Sequence, residues 1–393
     1  MSDGQTITIR VKDAIGDIAP AAWDACANPD AGSYNPFLSH AFLHALEESG
    51  CVGELNGWLP QHLVIEDERG GLLGAMPLYL KSHSRGEYVF DQGWADAYER
   101  AGGRYYPKLQ SSIPFTPVTG KRLLTAKGAD TARIEAALLS GTLQLAELHK
   151  ASSLHLTFLR EEEWTRHGGG RLLQRTDQQF HWLNAGYARF DDFLAALASR
   201  KRKALKKERR EALSPGITVE HIAGADLTEA HWDAFFAFYQ DTGDRKWGTP
   251  YLNREFFSLV GQTMPDRILL IVCRRAGRMI AGALNFIGGD TLYGRYWGAI
   301  EHHPFLHFEV CYYRAIDFAI LRRLKTVEAG AQGEHKIARG YLPQTTYSAH
   351  FIADPDLRRA ISDYLKRERA YVAEAARELT EAGPFRKSAD EAP

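Results

Sequence analysis

Cysteines are few in this chain, and their spacing fits neither a metal site nor a disulfide framework. Cys26, Cys51, Cys273 and Cys311 are scattered, and no C-x-x-C pair occurs. Such pairs are the usual sequence sign of a zinc knuckle or a redox centre. Scattered free cysteines are typical of a reducing compartment. The sequence therefore predicts a cytoplasmic protein that needs no metal.

Long hydrophobic runs and an excess of charge of one sign are also missing. No window reaches the roughly 18 uninterrupted apolar residues that a membrane span needs. The start, MSDGQTITIRVKDAIGD, lacks the cationic-then-apolar order of a signal peptide. The formal net charge is −1, so no overall field attracts nucleic acid. We expect no membrane span and no DNA partner, and the oligomeric state stays open.

What the sequence does contain is a weak internal repeat. A length of 393 residues favours two domains, at roughly 100–200 residues each. The segment HLVIEDERGGLLGAMPLYL (62–80) aligns with LLIVCRRAGRMIAGALNFI (269–287) when Gly74 is placed on Gly282. Both segments have the pattern of a strand, a charged turn and a second strand. The sequence therefore predicts two copies of one α/β unit.

The elements that follow each hairpin keep the same order. They are an extended aromatic stretch at 88–94, a helix at about 131–149 and a strand at 154–159 in the first copy, and TLYGRYWGA (291–299), a helix at about 306–324 and a strand at 326–331 in the second. A helix between two neighbouring strands is a crossover, which implies parallel pairing. We therefore expect a mixed sheet in each copy.

Domain limits follow from the repeat. We predict an N-terminal domain over 1–180, a C-terminal domain over 181–385 that carries the active-site cleft, and a disordered tail over 386–393. Within the first domain, RYYPKLQSSIPFTPVTG (104–120) contains three prolines. Because proline removes a backbone donor, this stretch is predicted to lack regular structure.

The doubled unit resembles the tandem N-acetyltransferase-like (GNAT) fold of the FemABX aminoacyltransferases. Those proteins have a late strand with an acidic residue and a glycine, here Glu328 and Gly330, followed by an aromatic-rich K-x-G-F-type loop, here HKIARGY (335–341). The helix FEVCYYRAIDFAILRRL and the basic helix SRKRKALKKERREALSPGITVE resemble further family features. The runs shared with a FemAB-like group linked to peptidoglycan biosynthesis or recognition are YYPKLQ, PFTPVTG, SRKRK, YLNREFF, LHFEVCYYRAIDFAI, EAGAQGEHK and YSAHFI.

The resemblance implies a fold class and a chemistry. The fold class is α/β, with mixed sheets in two tandem GNAT-like domains. The chemistry is acyl or aminoacyl transfer to an amine of a small molecule or a cell-wall precursor. The acyl donor is then acyl-CoA or an aminoacyl-tRNA, and tRNA becomes a possible partner. The alternatives are an acetyl-CoA-type N-acetyltransferase and a non-catalytic module that binds a peptidoglycan precursor.

One departure leaves the donor open. Acetyl-CoA-dependent relatives carry Q/R-x-x-G-x-G/A before the main helix, where backbone N–H groups bind pyrophosphate. The loop here is AIEHHPFLHF (299–308), which has no glycine, and LLTAKGADTARIE in the first domain has only Gly128. Ordinary CoA binding is therefore in doubt in both domains.

The stretch after the last strand of the repeat carries the candidate catalytic residues. Acyl transfer to an amine needs a base for the ammonium proton and a donor for the carbonyl oxygen. We predict Glu328 or His335 as the base, and Lys336 as the group that holds the oxygen or a phosphate. Gln332 and Arg339 are predicted to bind substrate. The alternative is a solvated turn.

Further substrate contacts are predicted on the strand and helix before that stretch. Alternation in TLYGRYWGA places Tyr293, Arg295 and Trp297 on one face. Arg295 is suited to bind a carboxylate or phosphate, or simply covers core aromatic rings. Glu309 and Tyr313 share a line on the helix, where Glu309 also complements the helix dipole. His302, His303 and His307 lack the spacing of a helical metal pair.

Two loops and one helix complete the candidate sites. In DTGDRKWGTPYLNREFF (241–257), interpreted as a loop that leads into a helix, Arg245, Lys246 and Trp247 are predicted to contact substrate. Thr116 and Thr119 lie in PFTPVTG, a rigid loop predicted to line a groove.

The basic run 200–210 contains eight Lys or Arg residues and is predicted to form a solvent-facing helix. Arg202, Lys203, Lys206 and Lys207 are predicted to bind phosphate or tRNA. A merely solvated helix face is the alternative.

Overall fold

The structure is a computed structural model that describes residues 7–214, 216–246, 250–330 and 333–386; the side chains of 244–246 are outside this description. Its strands are β1 (Ile9–Lys12), β2 (Trp58–Pro60), β3 (His62–Glu66), β4 (Leu72–Met76), β5 (Tyr79–Lys81), β6 (Lys108–Ser111), β7 (Leu124–Thr125), β8 (Ser153–Leu159), β9 (Leu173–Leu183), β10 (Ile217–Ala223), β11 (Ile268–Arg275), β12 (Arg278–Ile287), β13 (Thr291–Ala299), β14 (Thr326–Glu328) and β15 (Leu342–Ile352).

The helices are named in the same way. They are α1 (Pro20–Ala27), α2 (His40–Glu48), α3 (Gln92–Arg100), α4 (Thr131–Leu148), α5 (Glu161–His167), α6 (Phe190–Ala196), α7 (Ser199–Leu213), α8 (Glu229–Lys246), α9 (Arg254–Thr263), α10 (Leu306–Phe308), α11 (Arg314–Leu321) and α12 (Pro355–Glu381). A π-helical turn, Glu309–Tyr313, joins α10 to α11. Among the described residues, no helix combines the length and the apolar character needed to cross a membrane.

The chain divides into two compact units, which we call the first and second unit. The first comprises residues 1–31, 37–177 and 346–372, and the second comprises 32–36, 178–345 and 373–393. The chain therefore changes unit inside β9 and again inside β15. The residues predicted as a disordered tail lie outside the described part of the chain, apart from Arg386.

The first unit contains two groups of strands around an apolar core. One is an antiparallel sheet in the order β1-β3-β4-β7, and the other has the order β2-β5-β6-β8-β15. Within the second group, β6 and β8 are parallel. The long helix α4 begins after Asp130, whose side chain accepts a hydrogen bond from the backbone N–H of Arg133, a normal N-cap. Leu138 of α4 is fully buried in this core.

The second unit is built on one mixed sheet in the order β10-β11-β12-β13-β14-β9. The pair β13–β14 is parallel, as predicted from the helix that connects the two strands, and the other pairs are antiparallel. The connecting helix presents an apolar face, including the fully buried Ala315, Ile316 and Ala319. This face packs in the core of the unit, as expected for an amphipathic helix.

The predicted repeat is present in the hairpins β3–β4 and β11–β12, but their registers differ by one residue. In the first hairpin Gly74 pairs with Ile65. In the second, Gly282 pairs with Val272, whereas the alignment predicted Cys273. Each hairpin contains one β-bulge, which shifts the register by the same amount in both. The remaining offset of one residue therefore arises in the turns, which differ in length.

Three local predictions are wrong. The stretch 88–94, predicted as a strand, contains the start of α3, and β6 instead pairs with β8. The range 104–120, predicted to be irregular, contains β6, because its proline at 107 precedes the strand rather than interrupting it. The stretch 241–257 was predicted as a loop that leads into a helix; its first residues, up to 246, still belong to α8, whereas the helix is present as α9.

Candidate active site

The second unit buries a carboxylate where β14 ends. Glu328 is the last residue of β14 and is only 6% exposed. Parallel pairing places it beside Tyr293 of β13. One carboxylate oxygen, Oε2, accepts a hydrogen bond from Nη2 of Arg295 at 2.7 Å. Because a buried charge needs a partner, this ion pair is what keeps Glu328 in the interior.

Arg295 reaches Glu328 because β13 contains a β-bulge. Leu284 pairs with Tyr296 and Asn285 pairs with Gly294, so Arg295 is the extra residue opposite β12. Bulges redirect side chains and are frequent beside active sites. The bulge also interrupts the alternation from which one face was predicted for Tyr293, Arg295 and Trp297.

A buried amine lies close to this ion pair. Lys336 belongs to a 3₁₀ turn, Glu334–Arg339, and is 2% exposed. Its Nζ donates a hydrogen bond to the carbonyl oxygen of Gly330 at 3.0 Å, a glycine held at φ 77°. Burial, reinforced by the charge of Arg295, lowers the pKa of Lys336 to about 8. A lysine with such a pKa exchanges its proton near neutral pH.

His181 completes the buried group. It pairs with Glu328 across β9 and β14, and its Nε2 lies 3.9 Å from Oε1 of that carboxylate. Burial lowers the pKa of His181; Glu328 opposes the shift, while Arg295 and Lys336 add to it. Two cationic groups and one carboxylate therefore surround an imidazole that is neutral at pH 7.

A small cavity adjoins the bulge. Its volume is about 90 Å³. Its lining residues come from β12, β13, the helix that follows and the end of β14: Ala283, Asn285, Gly294, Arg295, Tyr296, Trp297, His307, Cys311, Tyr312 and Ala329. Two of the three predicted strand residues, Arg295 and Trp297, therefore line one cavity. Tyr293 is 7% exposed and contacts the guanidinium of Arg295, whose carbon lies 5.1 Å from its ring centre.

His335 and Arg339 lie on the same 3₁₀ turn as Lys336 but have other contacts. His335 is exposed, and its Nε2 lies 2.9 Å from the hydroxyl of Tyr312. Arg339 packs its guanidinium 3.4 Å from the ring centre of Phe308 and donates to the carbonyl oxygen of His335 at 2.7 Å and to Glu208 at 2.9 Å. Arg339 thus fixes the turn that carries Lys336.

Glu309 and Tyr313 face the basic helix α7. Glu309 is fully buried and accepts hydrogen bonds from Arg209 at 3.1 Å and from Arg314 at 2.7 Å. The hydroxyl of Tyr313 donates to Glu208. These contacts join α7 to the π-helical turn, so the two predicted substrate contacts hold two helices together.

The basic run is a helix, as predicted, but it is not wholly solvent-facing. Arg209 is held by Glu309 and also by Asp317, at 2.6 Å. In contrast, Lys203, Lys206 and Lys207 are exposed, and Arg202 is half-buried. These last four remain candidates for phosphate contact. Beside them, Arg200, Lys201, Ala204, Leu205, Glu208, Ala338 and Arg339 line a second cavity of about 330 Å³.

The other predicted contacts lie elsewhere. Thr116, which is 1% exposed, and Thr119 belong to the first unit. Arg245 and Lys246 end α8, but their side chains are outside the described part of the structure, and Trp247 and Gln332 lie outside it entirely. In the described ranges, no group of three or more His, Cys, Asp or Glu side chains is placed to hold a metal ion.

Comparison with protein families identifies the group to which this chain belongs. A profile of FemAB-like proteins, described as peptidoglycan biosynthesis/recognition, matches residues 14–387. The chain belongs to the FemAB-like family. No curated protein matches it by sequence.

Solved structures show the fold of this FemAB-like protein. FemX aligns with a TM-score of 0.52 at 14% identity, over 88% of this chain and 98% of that chain. The C-terminal domain of a protein assigned as a lysylphosphatidylglycerol synthetase from Agrobacterium fabrum also gives 0.52, at 7% identity, over 88% and 96%. The predicted fold class, α/β with two tandem GNAT-like domains, is confirmed.

Sequence reasoning missed two members of this site in the FemAB-like chain. Asn285 is a lone amide in the apolar run AGALNFI (281–287), and such an interruption of a buried strand was a usable signal. His181 lies 147 residues before Glu328 in the sequence. No local pattern links them, because their contact depends on the pairing of β9 with β14.

A second group of buried charges lies in the first unit, and it was not predicted. Lys108, from the run YYPKLQ, donates to Glu87 Oε2 at 2.7 Å and to Asp91 Oδ2 at 2.5 Å. Lys81 lies 3.7 Å from Glu87 Oε1, with its amine 3.4 Å from the ring centre of Trp58. Both lysine side chains are fully buried. We call these four charged residues the Lys108 cluster.

The Lys108 cluster extends into a pair of histidines. The hydroxyl of Tyr105 donates to Asp91 at 2.8 Å, and His155 Nε2 lies 3.5 Å from the same carboxylate. The Nδ1 atoms of His155 and His350 are 2.7 Å apart, so one ring donates a hydrogen bond to the other. Burial, reinforced by Lys108, lowers the pKa of His155 to about 3. Burial also lowers the pKa of His350 well below its ordinary value, so both rings are neutral at ordinary pH.

Proposed function

We propose that this FemAB-like protein transfers an acyl or aminoacyl group to an amine, and that its second unit carries the reaction. The observation that supports this most is the buried Glu328–Arg295 ion pair, with Lys336 beside it and a small cavity at Arg295. A base, a cationic donor and a space for a small group are the three things that acyl transfer to an amine requires.

The proposed step is direct attack by the acceptor amine on the acyl carbonyl carbon. A C–N bond forms, the bond to the donor's leaving group breaks, and the amine loses one proton. Glu328 takes that proton, since it is the buried carboxylate of the site. The ammonium of Lys336 holds the negative charge that develops on the carbonyl oxygen, where a fixed donor in a dry site is most effective.

His335 is a second candidate for the base. Its ring is exposed and its Nε2 is engaged with Tyr312, so a water or substrate reaches it more readily than Glu328. Arg339 is a weaker candidate for the oxygen donor than Lys336, because its guanidinium already donates to Glu208 and to the turn's own backbone. We propose that Arg339 positions the turn.

The donor and acceptor follow from what the site and the family favour. The loop before α10 has no glycine fingerprint for a pyrophosphate, which favours an aminoacyl-tRNA over acyl-CoA. The exposed lysines of α7 favour the same choice, since phosphate backbones are bound mainly through such charges. The family description, peptidoglycan biosynthesis/recognition, supports a cell-wall precursor as the acceptor.

A ligand screen tests this proposal first. Purified protein is heated with CoA, acetyl-CoA, longer acyl-CoAs or bulk aminoacylated tRNA, and the melting temperature is measured. A ligand at a hundredfold excess over its Kd stabilises the fold by about 2.7 kcal/mol. We expect stabilisation by aminoacylated tRNA and transfer of a labelled amino acid from it to an amine acceptor. The matched control is the same tRNA without its amino acid.

The other outcomes are equally informative. Stabilisation by an acyl-CoA, with transfer of its acyl group, would identify an N-acyltransferase that binds its cofactor without the glycine loop. Binding of a peptidoglycan precursor without any turnover would contradict the enzymatic proposal in favour of a binding module. If aminoacylated tRNA no longer raised the melting temperature of the Glu328→Gln and Lys336→Met variants, these residues would bind the donor rather than catalyse the transfer.

A further inference from the structure

Asn285 presents an unsatisfied acceptor to the small cavity at the bulge. The residue is 1% exposed and lines the cavity. Its Nδ2 donates to the carbonyl oxygens of Leu269 at 3.3 Å and Ala283 at 3.1 Å. This fixes the amide orientation. The other end, Oδ1, has no hydrogen-bond partner among the described residues.

Gly294 keeps that oxygen open. Gly294 pairs with Asn285 across the bulge and lines the same cavity. A Cβ at this position would lie 3.2 Å from Asn285 Oδ1 and 3.3 Å from the carbonyl oxygen of Glu328. Any side chain there would occupy the space in front of the acceptor. The glycine therefore leaves room for a group that enters the cavity.

A buried acceptor without a donor is costly, and most such atoms in proteins are satisfied. The group that would satisfy Oδ1 must carry an N–H or O–H. A volume of about 90 Å³ admits only a short chain of a few heavy atoms, since one water occupies about 30 Å³. Trp297, Tyr312 and His307 supply aromatic walls, and aromatic faces attract an ammonium group.

We propose that Asn285 selects an amine: the cavity holds the amino end of a small substrate group, whose N–H donates to Asn285 Oδ1. This rests on the proposed function, because it concerns the same site, and it names what that site recognises. Two sources carry this chemistry. One is the α-amino group of an aminoacyl donor with a small side chain, and the other is the acceptor amine. An acetyl group has no such donor.

Cys311 provides a readout that does not depend on turnover. It lines the cavity and is half-buried, whereas Cys26, Cys51 and Cys273 are buried. Alkylation by iodoacetamide, followed by peptide mapping, should therefore report first on Cys311, and a ligand in the cavity should slow it. The Cys311→Ser variant identifies the peptide, and calorimetric titration with the same ligands gives an independent measurement.

The probes are chosen in matched pairs. Alanine methyl ester and methyl isobutyrate have nearly the same shape, but a methyl group replaces the amine in the second, which has no N–H or O–H donor. Butylamine represents a plain acceptor amine. We expect alanine methyl ester or butylamine to protect Cys311 at concentrations at least about fivefold lower than methyl isobutyrate, because an unpaired acceptor costs this much or more. Stronger protection by alanine methyl ester indicates the aminoacyl donor, and stronger protection by butylamine indicates the acceptor.

Variants at the acceptor complete the test. Asn285→Leu should remove the preference for amines, and Asn285→Asp, which keeps an acceptor oxygen, should retain it. If Asn285→Leu does not fold, the comparison of the probes on the wild-type protein and on Asn285→Asp still tests the inference. Equal protection by alanine methyl ester and methyl isobutyrate, or no protection by any amine, would overturn the inference. Amine protection without turnover on any donor would instead contradict the proposed function alone.

Discussion

The two units each bury a group of charges, but in different ways. In the first, Lys108 is fully buried and both its carboxylate partners contact it directly. In the second, the amine of Lys336 donates to a backbone carbonyl, its one hydrogen bond among the described residues, and the ion pair beside it includes a residue that lines a cavity. Lys108 thus has two carboxylate partners, whereas Lys336 has no carboxylate partner among the described residues.

The difference shows in how each environment acts on a lysine. Burial alone would lower the pKa of Lys108, but Glu87 and Asp91 outweigh it and raise the pKa above the ordinary value. No carboxylate of the described residues offsets the burial of Lys336, and its pKa falls to about 8. A buried lysine is therefore not by itself a sign of catalysis; the useful sign is a buried amine that its surroundings leave ready to lose a proton.

The largest expected effect tests the structural role of the Lys108 cluster. Lys108→Met leaves Glu87 and Asp91 buried without their common partner. Removing one partner from a buried ion pair typically costs about 3–5 kcal/mol. We expect the free energy of unfolding, measured by urea denaturation, to fall by this amount.

Lys81→Met is the matched control within the same cluster. Burial lowers the pKa of Lys81 to about 6, so at pH 8 its amine is mostly neutral. Its substitution removes one hydrogen bond, to the carbonyl oxygen of Arg85 at 3.2 Å. We expect a change of about 1 kcal/mol or less. Equal losses of unfolding free energy in the two variants would contradict the conclusion that Lys108, and not Lys81, compensates the two buried carboxylates.

The second prediction concerns Lys336, whose substitution should affect activity much more than stability. Lys336→Met should lower kcat by about 10²- to 10³-fold, the usual cost of removing one oxyanion donor. Its free energy of unfolding should change far less than that of Lys108→Met, because no carboxylate loses its partner. Turnover with a labelled donor and urea denaturation of the same samples check both parts. If the variant is strongly destabilised but its folded fraction retains full kcat, Lys336 has a structural role instead.

The pH profile sharpens that assignment. A folded pKa of about 8 for Lys336 lies below its ordinary 10.5. If its ammonium is the active form, kcat falls as pH rises through about 8. The unfolded chain then binds more protons between these two values, so stability rises with pH over the same range. Lys336→Arg keeps the charge and should move the fall in activity to higher pH. A rise in activity through pH 8 would indicate a lysine base.

Sequence patterns were sufficient for the scaffold and for part of the site. Periodicity and the repeat located β13 and the helix that follows, because both have strong apolar patterns of their own. The same reasoning failed at 88–94, where Tyr88 and Phe90 lie in an irregular segment and Gln92 begins α3. It also missed the bulge at Arg295, because a bulge depends on the length of the partner strand and not on the residue itself.

Long-range pairing explains the remaining gaps. Lys108 lies in a run that was recognised, yet its partners Glu87 and Asp91 lie 17 to 21 positions away. Asp91 lies in the segment 88–94, which was predicted as a strand. Arg209 was counted among solvent-facing charges, although it binds Glu309 and Asp317 about a hundred residues later. Composition cannot separate these buried charges from exposed ones; only the packing of one element on another does.

The smallest expected effect on stability concerns the exposed face of α7, whose charges, unlike those of the two buried groups, lie in solvent. Lys203, Lys206 and Lys207 have at most weak surface ion pairs: Lys206 lies 3.9 Å from Asp191 and Lys207 lies 3.6 Å from Glu211. Changing all three to Gln should leave the free energy of unfolding within about 0.5 kcal/mol. If the face binds tRNA, the slope of log K against log[salt] should fall by about 0.7 for each lost single-strand phosphate contact. Arg209→Gln is the contrasting control: it removes one of the two arginine partners of buried Glu309, so we expect it to lower the free energy of unfolding and to leave the salt slope unchanged. An unchanged slope in the triple variant would assign this face to solvent alone.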